Sequence, residues 1–81
     1  MLLAVDIGNT NITLGVFDGD SMTAGWRLST DAQRLSDEYA LQILELLPMK
    51  GVAIDAVTDV ALCSVVPPLT SVFQDVARSL F

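Results

Sequence analysis

Leu2, Leu3, Ala4 and Val5 form a short apolar run that is closed by Asp6 and the turn-prone pair Gly8-Asn9. Beyond that pair, Ile12, Leu14 and Val16 alternate with Thr13 and Gly15. A period of two sends successive side chains to opposite faces of a strand, so the pattern predicts two strands joined by a tight loop. Asp18-Gly19-Asp20-Ser21 is a second turn signal, after which Met22, Ala24, Trp26 and Leu28 alternate with Thr23, Gly25, Arg27 and Ser29. Residues 2–29 therefore read as an antiparallel meander of three strands.

The period then changes. Ala40, Ile43, Leu44 and Leu47 recur at the i, i+3, i+4, i+7 spacing of a helix face, and the leucine-rich side from Leu41 to Leu47 is expected to pack on the sheet. Ser36 is the expected N-cap, with Asp37 and Glu38 in a first turn where the helix dipole favours negative charge. Pro48 is expected to stop this helix, and residues 49–58 have no sustained period and read as a connection. In the run from Asp59 to Val66, Val60, Ala61, Leu62, Cys63, Val65 and Val66 are apolar, the pattern of a parallel strand buried on both faces. Cys63 reads there as a small core residue. Pro67-Pro68 ends the run, with Pro68 expected at the first helical position, and Leu69, Val72, Phe73, Val76 and Leu80 repeat at helical spacing.

The order β-β-β-α-β-α predicts an α/β fold. A right-handed crossover through the first helix would lay the fourth strand parallel to the first in a mixed sheet. The fourth strand keeps an edge that would accept another neighbour, so residues 1–81 read as an incomplete first domain.

Composition narrows the chemistry. The 81 residues carry four cations (Arg27, Arg34, Lys50, Arg78) against ten acids, a formal charge of −6, and the sequence pI is near 4.1. Scattered cations in an acidic chain speak against nucleic-acid and anionic-membrane partners. With no His and one Cys, histidine bases, Ser-His triads and Cys/His zinc sites are excluded. Cys63 has no partner within the chain, which fits a reducing cytoplasm. No apolar run approaches the roughly 20 residues of a membrane-spanning helix.

An acidic chain can still hold phosphate through backbone N–H groups and a divalent metal. Asp6-Ile7-Gly8-Asn9-Thr10-Asn11-Ile12-Thr13 has the parts for that: a carboxylate, a glycine, two amides and two hydroxyls around one loop. Gly8 permits positive φ and close backbone approach, and Asn9 tolerates the same conformation. Asp6, at the end of the first strand, is placed to hold Mg²⁺ directly or through water. The same residues also suit a plain hairpin turn in which Asp6 caps its own backbone. The loop is not a Walker A motif, whose glycine spacing and lysine are missing. Elsewhere, Trp26 reads as core and Arg27 as solvent-facing; Arg34, Asp37 and Glu38 read as helix-start residues. Ser64 has no base to activate it.

In LLAVDIGNTNITLGVF the sequence resembles the start of the type III pantothenate kinases, of the actin, Hsp70 and sugar-kinase superfamily. WRLSTDAQRLSDEYA (26–40) and SVVPPLT (64–70) are similar to later signatures of that family and fall in the same order. The resemblance implies a ribonuclease-H-like, actin-like ATPase fold of which residues 1–81 are the N-terminal part. It also implies transfer of the ATP γ-phosphoryl group to pantothenate, giving 4′-phosphopantothenate in the first step of coenzyme A synthesis. Asp6, Ile7, Gly8, Asn9, Thr10, Asn11, Ile12 and Thr13 would bind the ATP phosphates, and Asp6 the Mg²⁺. K⁺ or NH₄⁺ as a second ion, pantothenate as substrate and a cytoplasmic homodimer are implied in the same way. The family's catalytic Asp lies in a G-x-D-R motif that these residues do not contain, so the isolated chain is expected to be inactive. The alternative is a non-catalytic nucleotide-binding or accessory regulatory module of the same fold.

Overall fold

The alternating segments become β1 (Leu2–Ile7), β2 (Asn11–Asp18) and β3 (Ser21–Ser29), followed by α1 (Ser36–Met49), β4 (Asp59–Ser64) and α2 (Pro67–Leu80). The computed structural model describes residues 1–81 throughout. The strands lie in the order β3-β2-β1-β4 in one sheet. β1 and β2 are antiparallel with Leu3 opposite Val16 and Ile7 opposite Ile12, and β1 runs parallel to β4 with Leu3 opposite Val60 and Ile7 opposite Ser64. The mixed sheet read from the sequence is the one observed.

Both helices lie on the same side of the sheet. Leu3, Val5 and Ile7 of β1 and Ile12, Leu14 and Val16 of β2 point into that layer and are at most 3% exposed. Tyr39, Ile43 and Leu47 of α1 and Leu69, Phe73 and Val76 of α2 close over them. No charged residue is buried, and the core is held mainly by apolar contact, with the Tyr39 hydroxyl as its polar exception. Val52 and Val57, in the connection read as patternless, are also buried, and Ile54–Ala56 between them forms a short 3₁₀ turn.

Several expectations are corrected. Leu35, not Ser36, is the N-cap of α1; the Glu38 carboxylate accepts from the Leu35 N–H at 2.9 Å, and Ser36 is already helical. Pro48 sits inside the last turn instead of ending the helix before it; without an N–H it leaves the Leu44 carbonyl without its helical donor, and the helix ends one residue later at Met49. Leu44 is 41% exposed: the buried stripe follows Tyr39, Ile43 and Leu47, which leaves Leu41 and Leu44 on the flank. β4 ends at Ser64 and α2 begins at Pro67, not Pro68.

β4 is not buried on both faces. Val60 and Leu62 pack against the helical layer, while Ala61 and Cys63 point to the opposite, open face, so Cys63 is exposed and not part of the core. On that face Gly25, Gly15, Ala4 and Ala61 follow one another across the four strands. Gly15, Ala4 and Ala61 floor a trough of about 420 Å³ that Phe17 and Met22 also line, while the Met22 side chain lies over Gly25.

Candidate phosphate-binding site

Asp6 and the β1–β2 turn stand at the carboxyl end of β1, next to the carboxyl end of β4, the edge where ligands bind in open α/β sheets. The turn closes with the Gly8 N–H donating to the Asn11 carbonyl at 2.9 Å. A Cβ at position 8 would meet that carbonyl at 3.1 Å, so glycine is needed for close approach. It is not needed for handedness: positive φ occurs only at Gly19 and Gly51, and the expectation of left-handed backbone at Gly8 and Asn9 is corrected.

Thr30, just past β3, reaches this turn. Its hydroxyl donates to the Gly8 carbonyl at 2.7 Å and its N–H donates to the Thr10 carbonyl at 2.9 Å. The N–H groups of Asn9 and Thr10 have no acceptor within the chain, and both residues are exposed. Two unclaimed amides on a solvent-facing turn are what a phosphate oxygen requires.

The Asp6 carboxylate faces the open side of the sheet, in a cross-strand row with Cys63, Thr13 and Arg27. Paired residues in such a row stand about 5 Å apart at Cβ. Asp6 is exposed and has no ion pair; the chain's one salt bridge joins Arg78 to Asp75. No group of three or more His, Cys, Asp or Glu residues gathers here. A single free carboxylate fits Mg²⁺, which keeps several waters and takes its remaining ligands from substrate phosphates. Ile7 and Ile12 are 0% exposed, so these two members of the predicted segment serve the core and present only backbone to the turn. Asn11 and Thr13 are exposed on β2.

The start of α2 offers no second anion cradle. Pro67 and Pro68 lack donors, and the N–H groups of Leu69 and Thr70 both point to the Val66 carbonyl. The Ser64 hydroxyl is spent on a local turn, donating to the Val66 carbonyl at 3.2 Å and accepting from its N–H at 3.1 Å. Trp26 packs on the core from the helical side, and Arg27 is exposed on the other. The contribution of Thr30 was not legible as site chemistry, although it lies within the second family-like stretch.

Sheet order, helix placement and the turn at the end of β1 define the N-terminal part of a ribonuclease-H-like, actin-like ATPase domain. The family model for type III pantothenate kinase matches residues 2–81, and the chain belongs to that family. It is 48% identical over 80 residues to a type III pantothenate kinase of Dehalococcoides mccartyi, covering 99% of this chain and 31% of that protein. Against the type III pantothenate kinase of Geobacter sulfurreducens it is 46% identical over 81 residues, covering 100% of this chain and 32% of the relative. The chain therefore spans about a third of the length of these curated relatives and matches their N-terminal part. No helix is long and apolar enough to cross a membrane.

Proposed function

We propose that this chain supplies the ATP-phosphate loop of an enzyme that transfers the γ-phosphoryl group of ATP to the primary hydroxyl of pantothenate. The product is 4′-phosphopantothenate, and the reaction opens coenzyme A synthesis in the cytoplasm. The observation that carries this reading is the conjunction, at one end of β1, of the unpaired Asp6 carboxylate with the unclaimed amides of Asn9 and Thr10. Phosphoryl transfer asks little covalent chemistry of the protein and depends on positioning and on neutralising charge. In this reading the turn amides and the hydroxyls of Thr10 and Thr13 bind phosphate oxygens. Asp6 would hold Mg²⁺ directly or through water, an ion that would supply positive charge beside the bound phosphates. The base for the pantothenate hydroxyl, a site for K⁺ or NH₄⁺ and a homodimeric assembly complete the proposal outside these residues.

Titration calorimetry with ATP, with and without Mg²⁺, tests it on the wild type and on Asp6→Asn. The wild type should bind ATP more tightly with Mg²⁺. Asp6→Asn should lose about tenfold or more of that gain, since the variant removes a charge and keeps the shape. Equal Mg²⁺-dependent affinity in the two proteins, with circular dichroism showing both folded, would refute the role of Asp6.

A further inference from the structure

We infer that Thr30 is a positioning residue for the phosphate loop, fixing the direction of the Asn9 amide, one of the two unclaimed donors of the turn; the inference rests on the reading of residues 6–13 given above. The Thr30 N–H bond to the Thr10 carbonyl at 2.9 Å continues the β2–β3 ladder and needs no further explanation. The hydroxyl bond is different. It leaves the end of β3 and reaches the Gly8 carbonyl, in the turn between β1 and β2, at 2.7 Å.

In a trans peptide the carbonyl and the following N–H point to opposite sides of one plane. Holding the Gly8 carbonyl toward Thr30 therefore turns the Asn9 N–H away from it, to the solvent side where it has no acceptor. Holding the Thr10 carbonyl likewise turns the Asn11 N–H away from β3. A donor already aimed at the incoming phosphate has less freedom to lose on binding.

The clasp is itself anchored. The N–H of Asp31, the next residue, donates to the Tyr39 hydroxyl at 3.0 Å, and that hydroxyl donates back to the Asp31 carbonyl at 2.9 Å. Tyr39 is 0% exposed and its ring lies 4.7 Å from that of Phe73 in α2. The turn is thus referenced through Thr30 and Asp31 to the two-helix layer beneath the sheet.

The test uses the intact gene product, comparing wild type, Thr30→Val and Thr30→Ser by Mg-ATP calorimetry, by KM for each substrate and by thermal midpoint. Thr30→Val keeps the shape and the backbone bond and loses the hydroxyl. Its dissociation constant and KM for ATP should rise about three- to tenfold, the range of one neutral hydrogen bond, while KM for pantothenate stays within about twofold. Thr30→Ser should restore most of the ATP affinity. If Thr30→Val fails to fold, Thr30→Ala is read in its place. Unchanged ATP affinity with a lowered midpoint would make Thr30 a merely structural residue and overturn the inference, as would a serine variant no better than valine. A wild type that shows no Mg-ATP affinity would instead overturn the phosphate-loop reading, and this inference with it.

Discussion

Tyr39→Phe removes a single oxygen from the centre of the molecule and leaves the rest of the side chain in place. The ring keeps its contact with Phe73 at 4.7 Å and the Arg34 guanidinium above it at 5.5 Å, so the variant isolates the hydroxyl. That hydroxyl makes two hydrogen bonds to one residue, accepting from the Asp31 N–H at 3.0 Å and donating to its carbonyl at 2.9 Å. Each is worth about 0.5–1.5 kcal/mol net, and a group left unsatisfied in the interior costs about 1–3 kcal/mol. Asp31 is half-buried, so water replaces part of what is lost. The expected destabilisation is about 1–2 kcal/mol, which at about 4–8 °C per kcal/mol for a domain of this size lowers the thermal midpoint by about 5–15 °C. Circular dichroism melts of the 81-residue chain measure it. Tyr39→Leu, which also gives up the aromatic pairing, should fall about 0.5–1.5 kcal/mol further. A Tyr39→Phe midpoint within about 2 °C of wild type would refute the anchoring of Asp31 by this hydroxyl.

Leu14→Ala, at a site 1% exposed between Val5 and Trp26 in the sheet, should cost about 2–5 kcal/mol in urea unfolding. A loss below about 1 kcal/mol would mean that the layer beneath the helices collapses freely around the cavity. Cys63, exposed on the open face, should react with a soluble thiol reagent in the folded 81-residue chain at nearly the rate of a free peptide thiol. Protection that persists until denaturant is added would show that face to be covered.

The elements legible in the sequence are those whose pattern is local. The alternation in β1, β2 and β3 and the helical spacing of Leu69, Phe73 and Val76 follow from which side chains share a face, and Asp6-x-Gly8-x-Thr10 marks the turn by composition. What was missed depends on distant neighbours. β4 is apolar on both faces, but a pattern cannot tell which face a helix covers, and Cys63 falls on the uncovered one. Tyr39 falls outside the spacing read for Ala40, Ile43, Leu44 and Leu47, and its hydroxyl partner Asp31 lies ahead of the helix, where no periodicity points to it. Thr30 gives no signal because its partners are carbonyls on a turn that only the β2–β3 register brings beside it. Periodicity is equally silent on the irregularity between Val16 and Phe17, where the Thr23 hydroxyl donates to the Val16 carbonyl at 3.2 Å.

The clasp between Thr30 and the β1–β2 turn joins residues 22 positions apart, whereas the Met1 and Thr58 contact beside the parallel β1–β4 pair spans 57. On loop-closure entropy alone the longer closure costs about 0.8 kcal/mol more, and the intervening crossover through α1 must be laid down before it brings any return. During folding the meander is therefore favoured to zip first, and the β1–β2 turn with its clasp belongs to that early unit. β4 is favoured to join after that unit, and because the clasp bonds only Thr30 and the β1–β2 turn, the clasp closes without it.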